Sequence, residues 1–482
     1  MALQNNNVPP FLVNAERFGI KLGLERMKAL AKLLGNPEEG MKFIHVAGTN
    51  GKGSVVSYIS NVLAAAGYKV GIYTSPFLER FSERIRILDG MSGLDKSFED
   101  ECYGEIPTDT LLELTEEVHS AVDIMISSQM EHPTAFELVT AVAFLYFMRE
   151  KCDYIVLETG LGGRLDATNI ISSPVCSVIT AIGYDHMAQL GETIDQIAAE
   201  KAAIIKPGCS VYILDPILGR LNQEESQKVL QVITNKVIEM HATQNVLSGE
   251  NIEIIDRGGL RQFFRWKDSS DIFEIQMIGG HQIENAALAV SVLRNWVDIN
   301  AIKTGLRYTR WKGRNEIICD VPPVMLDGAH NPQGMMALCD TLNSIYVKEK
   351  SFAKPMSFIM GMMRDKDVAM TIEVFMRHLK VPIHSVYLVS VDNERTLKAE
   401  EFKAQWRACC ENIEDKALFY NDNSSMYNVQ GKISTYDYAE DACHKAFSVA
   451  CEEGIPLICV GSLFLVGQIR PILIADIKEN IK

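Results

Sequence analysis

The sequence predicts an α/β protein: a P-loop-containing, mostly parallel sheet domain followed by a second, smaller Rossmann-like α/β domain. Three observations lead there. Short apolar runs alternate with helical stretches up to about residue 305, the pattern of a parallel sheet covered on both faces. A Gly-rich turn, Gly48-Thr49-Asn50-Gly51-Lys52-Gly53-Ser54, sits between the apolar run ending at Ala47 and a helical pattern. After a polar, Trp-containing joint the alternation starts again. With 482 residues the chain is too long for one core. The expected division is 1–308, a hinge at 309–314, and 315–482.

Taken in order, strands are expected near 42–46, 69–73, 153–157 and 175–182, with helices such as 54–66 and 136–150 between them. The apolar run 139–148 is too short for a membrane span and reads as a buried helix. Residues 89–110 are acidic and turn-rich and read as a surface loop. From 211 to 275 the alternation weakens into an amphipathic helix (226–240) and short β segments, expected as a peripheral insertion. Beyond the joint, strands are expected near 324–326, 356–361, 385–391 and 456–460.

Composition narrows the class. Hydrophobic residues make up 47% and charged residues 23%, as in soluble globular proteins. The net charge of −15 argues against a nucleic-acid or anionic-membrane partner, while leaving room for a local basic pocket. The 11 cysteines show no Cys-x-x-Cys and no disulfide framework, so reduced thiols in the cytoplasm are expected. Residues 1–10 are polar and Asn-rich, without the apolar core of a signal peptide. A monomer is expected.

The chemistry lies at strand ends. In parallel sheets ligands bind beyond the carboxyl ends of the strands, and four such ends here carry polar residues: the Gly-rich turn, Thr74-Ser75, Glu158-Thr159, and Asp185-His186. The turn departs from a strict Walker A, because Gly53 separates Lys52 from Ser54 and Val46 stands where the first Gly would be. It still supplies converging N–H groups, a helix N-terminus and a lysine for phosphates. Ser54 and Ser75 offer hydroxyls and Glu158, resembling a Walker B acid, offers a carboxylate to a divalent ion. A solvated strand-end acid is the plainer alternative for Glu158, and a structural imidazole for His186.

Lys201 is more telling. Residues 193–205 read as a helix with Thr193 as N-cap and Pro207-Gly208 as its stop. Lys201 falls on the apolar stripe formed by Ile194, Ile197, Ala198, Ile204 and Ile205. A buried amine tends towards neutrality and can take up carbon dioxide as a carbamate, an oxygen ligand for a metal. Snorkelling to the rim is the competing reading.

These residues resemble a known family. The Gly48–Ser54 turn, Thr74-Ser75-Pro76, Glu83-Arg84-Ile85, Glu158, the run Gly160-Leu161-Gly162-Gly163-Arg164-Leu165-Asp166-Ala167-Thr168-Asn169, Asp185-His186 and Glu200-Lys201-Ala202 come in its order. Gly280-His281-Gln282 with Asn285, Arg314, Asp327-Gly328-Ala329-His330-Asn331-Pro332 and Gly461-Ser462-Leu463 follow. Together they resemble folylpolyglutamate synthase, within the Mur-type amide ligases, over nearly the whole chain. Phe77 and Ser82 stand where many members have His and Asn, and residues 89–110 and 407–440 look longer than usual.

The resemblance implies ATP-dependent addition of L-glutamate to the glutamyl tail of a reduced folate through an acyl phosphate, and in bifunctional members also to dihydropteroate. It implies two Mg2+ ions, held by Ser75 and Glu158 and by Glu158, His186 and a carbamylated Lys201. It places ATP on Gly48, Thr49, Asn50, Gly51, Lys52, Gly53, Ser54, Asn285, Arg314 and Asp327. Lys52, Lys201, Asp327 and His330 are its catalytic residues, and Arg84 and Ser462 face folate or glutamate. Two other readings compete. A Mur-type ligase acting on a peptidoglycan precursor usually has a uridine-nucleotide domain ahead of the ATP loop, whereas 47 residues precede Gly48. A P-loop switch protein would need neither the buried Lys201 nor a second α/β domain.

Overall fold

The computed structural model describes residues 8–412 and 433–480. Seven strands form the first sheet: β1 (Phe43–Ala47), β2 (Lys69–Tyr73), β3 (Ile85–Asp89), β4 (Tyr154–Glu158), β5 (Cys176–Ile179), β6 (Ser210–Leu214) and β7 (Thr243–Leu247). Their order is β3-β2-β4-β1-β5-β6-β7, parallel except for β3 against β2. All five residues of β1 are buried, without the alternation of a one-sided sheet, because helices cover both faces. On one face lie the helices Lys52–Ala65, Gly280–Leu293 and Ile299–Tyr308. The last approaches so closely that a Cβ on Gly305 would meet Val62 Cα at 2.4 Å. On the other face lie Thr108–Ser127 and Ala135–Arg149. The latter starts at a capping box: Thr134 Oγ1 accepts the Glu137 N–H, and the Glu137 carboxylate accepts the Thr134 N–H at 2.7 Å.

A small antiparallel sheet of β8 (Ile252–Asp256), β9 (Gln262–Trp266) and β10 (Ile272–Ile275) leads into the helix Gly280–Leu293. The last sheet contains β11 (Glu316–Asp320), β12 (Pro323–Leu326), β13 (Met356–Met360), β14 (Ile383–Val389), β15 (Ile433–Tyr436) and β16 (Leu457–Val460), in the order β11-β12-β16-β13-β14-β15. Only β11 runs antiparallel. Among the described residues no helix is long and apolar enough to cross a membrane.

Two expectations are corrected. Residues 211–247 are not a peripheral insertion, since β6 and β7 extend the main parallel sheet and the helix Gln223–Glu239 covers it through Val229, Ile233 and Val237, whereas residues 252–275 form the separate small sheet. Their alternation was weak because β7 is an edge strand with exposed residues. Residues 89–110 are not simply a loop. Gly90–Glu99 is a helix anchored by buried Leu94, and the chain then returns to β3, where Ile87 and Ile106 N–H groups bond to Gly104 O and Ile85 O. Its two glycines and polar residues masked a single apolar anchor. Of the stretch 407–440, residues 413–432 lie outside the described residues.

Candidate active site

β1 sits at the middle of the sheet, so its carboxyl end is flanked by those of β4 and β5. The Gly-rich turn leaves β1 there. Gly48 lies against Thr180, where a Cβ would come within 1.8 Å of Oγ1, and Gly51 has φ +88 with Asn285 Oδ1 at 2.5 Å from a Cβ position. Side chains would not fit at either place. Thr49 and Asn50 N–H groups donate to Ala181 O at 2.8 and 3.2 Å, tying the turn to the chain beyond β5. Lys52 Nζ folds over the turn towards Gly48 O and Thr49 O, at 3.1 and 3.3 Å. Ser54 is buried in the first helical turn, and Trp311 from the joint covers Gly53.

Glu158 ends β4 and accepts the Ser75 N–H at 3.2 Å. Burial pushes its carboxyl up to about 7, against the charges of Lys52 and Arg314. The helix Ile194–Ala202, capped by Thr193, buries Lys201 together with Ile194, Ile197, Ala198 and Ala202. Lys201 Nζ donates to Gly48 O at 2.9 Å. Burial lowers this amine to about 7, and the Lys52 charge adds to the effect. The apolar stripe therefore carries the lysine inward, as its spacing suggested. His186 adopts a left-handed φ of 52 and keeps 39% of its side chain exposed. Its imidazole is more open than a strand-end core histidine would be.

The six-stranded sheet supplies the opposite wall. Asp327 follows β12, and its carboxylate accepts the N–H groups of Asn315 and Ala329, both at 2.8 Å. His330 Nδ1 donates to Gly328 O at 2.8 Å, leaving Nε2 3.4 Å from Asp185 Oδ2. Arg314 fills the space above Gly328, where a Cβ would lie 2.4 Å from its Nη1. Ser462 follows β16 and accepts the Phe464 N–H at 3.1 Å. Arg84 is half-buried beside Phe77 and Phe81, its guanidinium 5.3 and 5.7 Å from their centroids. Its Nε has no hydrogen-bond partner among the described residues. All the candidate residues named from the sequence, from Gly48 to Ser462, line one cavity of about 500 Å³.

Sequence reasoning missed the pieces that join the two walls. Asp185 was noted at the rim but given no task. It pairs with Lys366 Nζ at 2.6 Å and accepts from Asn331 Nδ2 at 3.3 Å, besides facing His330. Burial alone would raise its carboxyl, but His330 and Lys366 hold it far below the usual carboxylate range. Gln333 Nε2 donates to Ile182 O at 3.0 Å and its Oε1 accepts from Asn50 Nδ2. The strand-end rule, applied to β13 as it was to β1 and β4, leads to the segment 361–366 that contains Lys366, though not to its partner. Among the described residues, no three His, Cys, Asp or Glu side chains form a group able to hold a metal ion.

Two family models match the chain: the Mur ligase middle domain over residues 108–293 and the dihydrofolate synthetase C-terminal domain over residues 317–473. The dihydrofolate synthase/folylpolyglutamate synthase of Bacillus subtilis is 36% identical over 399 residues, covering 80% of this chain and 85% of its own. Folylpolyglutamate synthase of Mycobacterium tuberculosis, complexed with ADP and AMPPCP, superposes with a TM-score of 0.77 at 26% identity, covering 96% of this chain and 98% of that one. E. coli FolC in complex with DHPP and ADP gives a TM-score of 0.76 at 25% identity, with 99% of each chain covered. The chain belongs to the dihydrofolate synthase/folylpolyglutamate synthase family.

Proposed function

We propose that this chain uses ATP to join L-glutamate to the glutamyl tail of a reduced folate. The observation that carries the reading is the buried Lys201 amine, set against the phosphate turn in a cavity closed by Asp327, His330 and Arg314. An oxygen of the folate carboxylate attacks the γ-phosphorus, the bond to ADP breaks, and an acyl phosphate forms. The glutamate amine then attacks the acyl carbon, phosphate leaves, and an amide remains. Lys52, Arg84 and Arg314 offset the charge that develops on phosphate and carboxylate oxygens. In its neutral form, with Nδ1 held by Gly328 O, His330 presents Nε2 as the acceptor for the proton that the amine loses, and Asp185 pairs with the imidazolium that results. A two-walled cavity excludes the water that would hydrolyse the acyl phosphate.

Ser75, Glu158, His186 and Lys201 would hold two Mg2+ ions. As an ammonium, Lys201 does not suit that set; as a carbamate it would add anionic oxygen to a hydroxyl, a carboxylate and an imidazole. When bound, the ions supply charge neutralisation on the phosphates. The cavity is built from one chain, which suits a monomer, with residues 309–314 as the hinge between 1–308 and 315–482. The net charge of −15 supports small-molecule substrates rather than nucleic acid or membrane, and the scattered cysteines support the cytoplasm.

Dihydropteroate is a second acceptor to consider, because the C-terminal match is to dihydrofolate synthetase and the E. coli structure holds DHPP. Labelled glutamate offered with tetrahydrofolate and with dihydropteroate separately tests both. ADP release and glutamate incorporation are expected to require each other with tetrahydrofolate. Activity confined to a uridine-linked peptide would favour the peptidoglycan-type ligase, and ATP turnover indifferent to folate and glutamate would favour a switch protein.

Arg314 reaches the cavity from the joint, so its contact with phosphate depends on closure. Arg314→Ala is expected to lower kcat by about 100-fold and to weaken nucleotide binding as well. Steady-state kinetics and nucleotide titration check this. If neither changes, residues 309–314 are only a linker.

A further inference from the structure

Outside the cavity, a cluster of charged side chains ties together three pieces of its wall. Arg470, in the helix Leu463–Asn480, is its centre. The guanidinium reaches Glu316 on β11 at 2.8 Å, Glu79 at 2.8 Å and Glu101 at 2.9 Å, with 7% of the side chain exposed. Lys312, in the joint, stands 3.3 Å from Glu101 and 3.8 and 3.9 Å from Glu83 and Glu79. Arg80 pairs with Glu105 at 2.8 Å, and the Glu83 carboxylate accepts the N–H groups of Leu78 and Arg80 at 2.7 and 3.2 Å.

The origins of these groups matter more than their number. Glu79, Arg80 and Glu83 lie on the turn after β2 that carries Arg84 into the cavity. Lys312 lies two residues before Arg314. Arg470 sits on the helix that begins just after Ser462. Glu101 comes from the segment after the helix Gly90–Glu99, which lines no part of the cavity and makes no contribution to the chemistry above.

We infer that this cluster is an ionic latch: Arg470 and Lys312 position the Arg84 turn and the Arg314 joint against the six-stranded sheet, and Glu101 sets how firmly the latch holds. It rests on the reading that the two walls close on substrates. When Glu101 is lost, Arg470 keeps Glu79 and Glu316, and Lys312 keeps Glu83 and Glu79 at 3.8 and 3.9 Å, so each cation retains a carboxylate partner. Glu101 itself has 46% of its side chain exposed, so its removal should cost the fold little. Burial pushes its carboxyl up, but Lys312 and Arg470 together hold it below the ordinary value. Its environment therefore favours the charged, latched form. Arg470, Lys312, Glu79 and Glu101 are positioning residues, acting through Arg84 and Arg314.

Glu101→Gln in the full chain tests this, by hydrogen–deuterium exchange with AMPPCP bound and by kinetics. Exchange should quicken about threefold in residues 77–84 and 309–314 and stay unchanged elsewhere, with an unaltered melting temperature. KM for the folate acceptor should rise by a similar factor while kcat changes less, and Glu101→Asp should restore part of the difference. In the unmodified protein, about 0.5 M NaCl should reproduce the change, and it should add little in Glu101→Gln. Unchanged exchange and KM would overturn the latch; so would a general rise in exchange with a lower melting temperature, which marks a purely structural role. Localised exchange changes in a protein that ligates no glutamate would keep the latch and reject the proposed activity.

Discussion

Lys201→Ala is expected to lose ligation by about 100- to 1,000-fold while remaining folded. The amine lies in the apolar stripe of its helix, against Gly48 O, and the same carbonyl also receives Lys52 Nζ. Truncation therefore strands no buried acceptor. In bicarbonate-free protein, where Lys201 is an amine, its removal relieves a charge-burial cost that offsets the packing lost with its methylenes. The folded value of about 7 lies below the ordinary lysine value of 10.5, so at pH 7 and below the fold bears the full cost of burying this group. That cost is relieved only as pH rises towards the ordinary value. The effect on melting temperature of removing Lys201 should thus be more favourable at pH 7 than at pH 10. Carbamylation makes two further demands. Labelled bicarbonate should give a carbamate carbon signal in the unmodified protein and none in Lys201→Ala, and short carboxylates should restore part of the lost rate. In the metal-free protein with Lys201 as an amine, both Lys201 and Glu158 take up protons as pH drops below about 7, so uptake of labelled bicarbonate and of Mg2+ should weaken there. Full activity in a folded Lys201→Ala protein would end the carbamate proposal.

Lys52→Ala should be about as damaging to catalysis and have almost no effect on the fold. The ammonium lies over the turn and donates to Gly48 O and Thr49 O, and Gly48 O keeps the Lys201 amine when Lys52 is removed. Losing a fixed positive charge beside a phosphoryl transition state is worth about 3 kcal/mol or more, a rate loss above 100-fold. Turnover, nucleotide affinity and melting temperature measured on one preparation check this. Near-normal turnover with a normal melting temperature would mean that phosphate is held elsewhere.

What could be read from the chain was whatever depends on neighbours in sequence. The strand–turn–helix at Phe43 to Ala65 is local, and so is the burial of Lys201, because helical spacing alone sets the face on which it lies. Glu158 and Ser75 meet because β2 and β4 are adjacent, an order of strands that the alternation of elements left open. Other features escaped because they depend on distant parts of the chain. Nothing around Asp185 announces that Lys366 and His330 will reach it from another sheet. Glu101 lies in a stretch whose glycines and acids resemble an idle loop, and only the returning chain at Gly104 and Ile106 gives it a fixed place. The edge strand β7 faces solvent, so its hydrophobic signal was faint although its backbone pairs fully with β6.

The position of Asp185 has a consequence for residence time. One carboxylate engages His330, Asn331 and Lys366 at once, so the two walls separate only when all three contacts let go together. A compound that spans both walls is then released at a pace set by the breathing of the protein rather than by the strength of its own contacts. Extending such a compound across the gap should lengthen its stay far more than adding contacts within either wall alone.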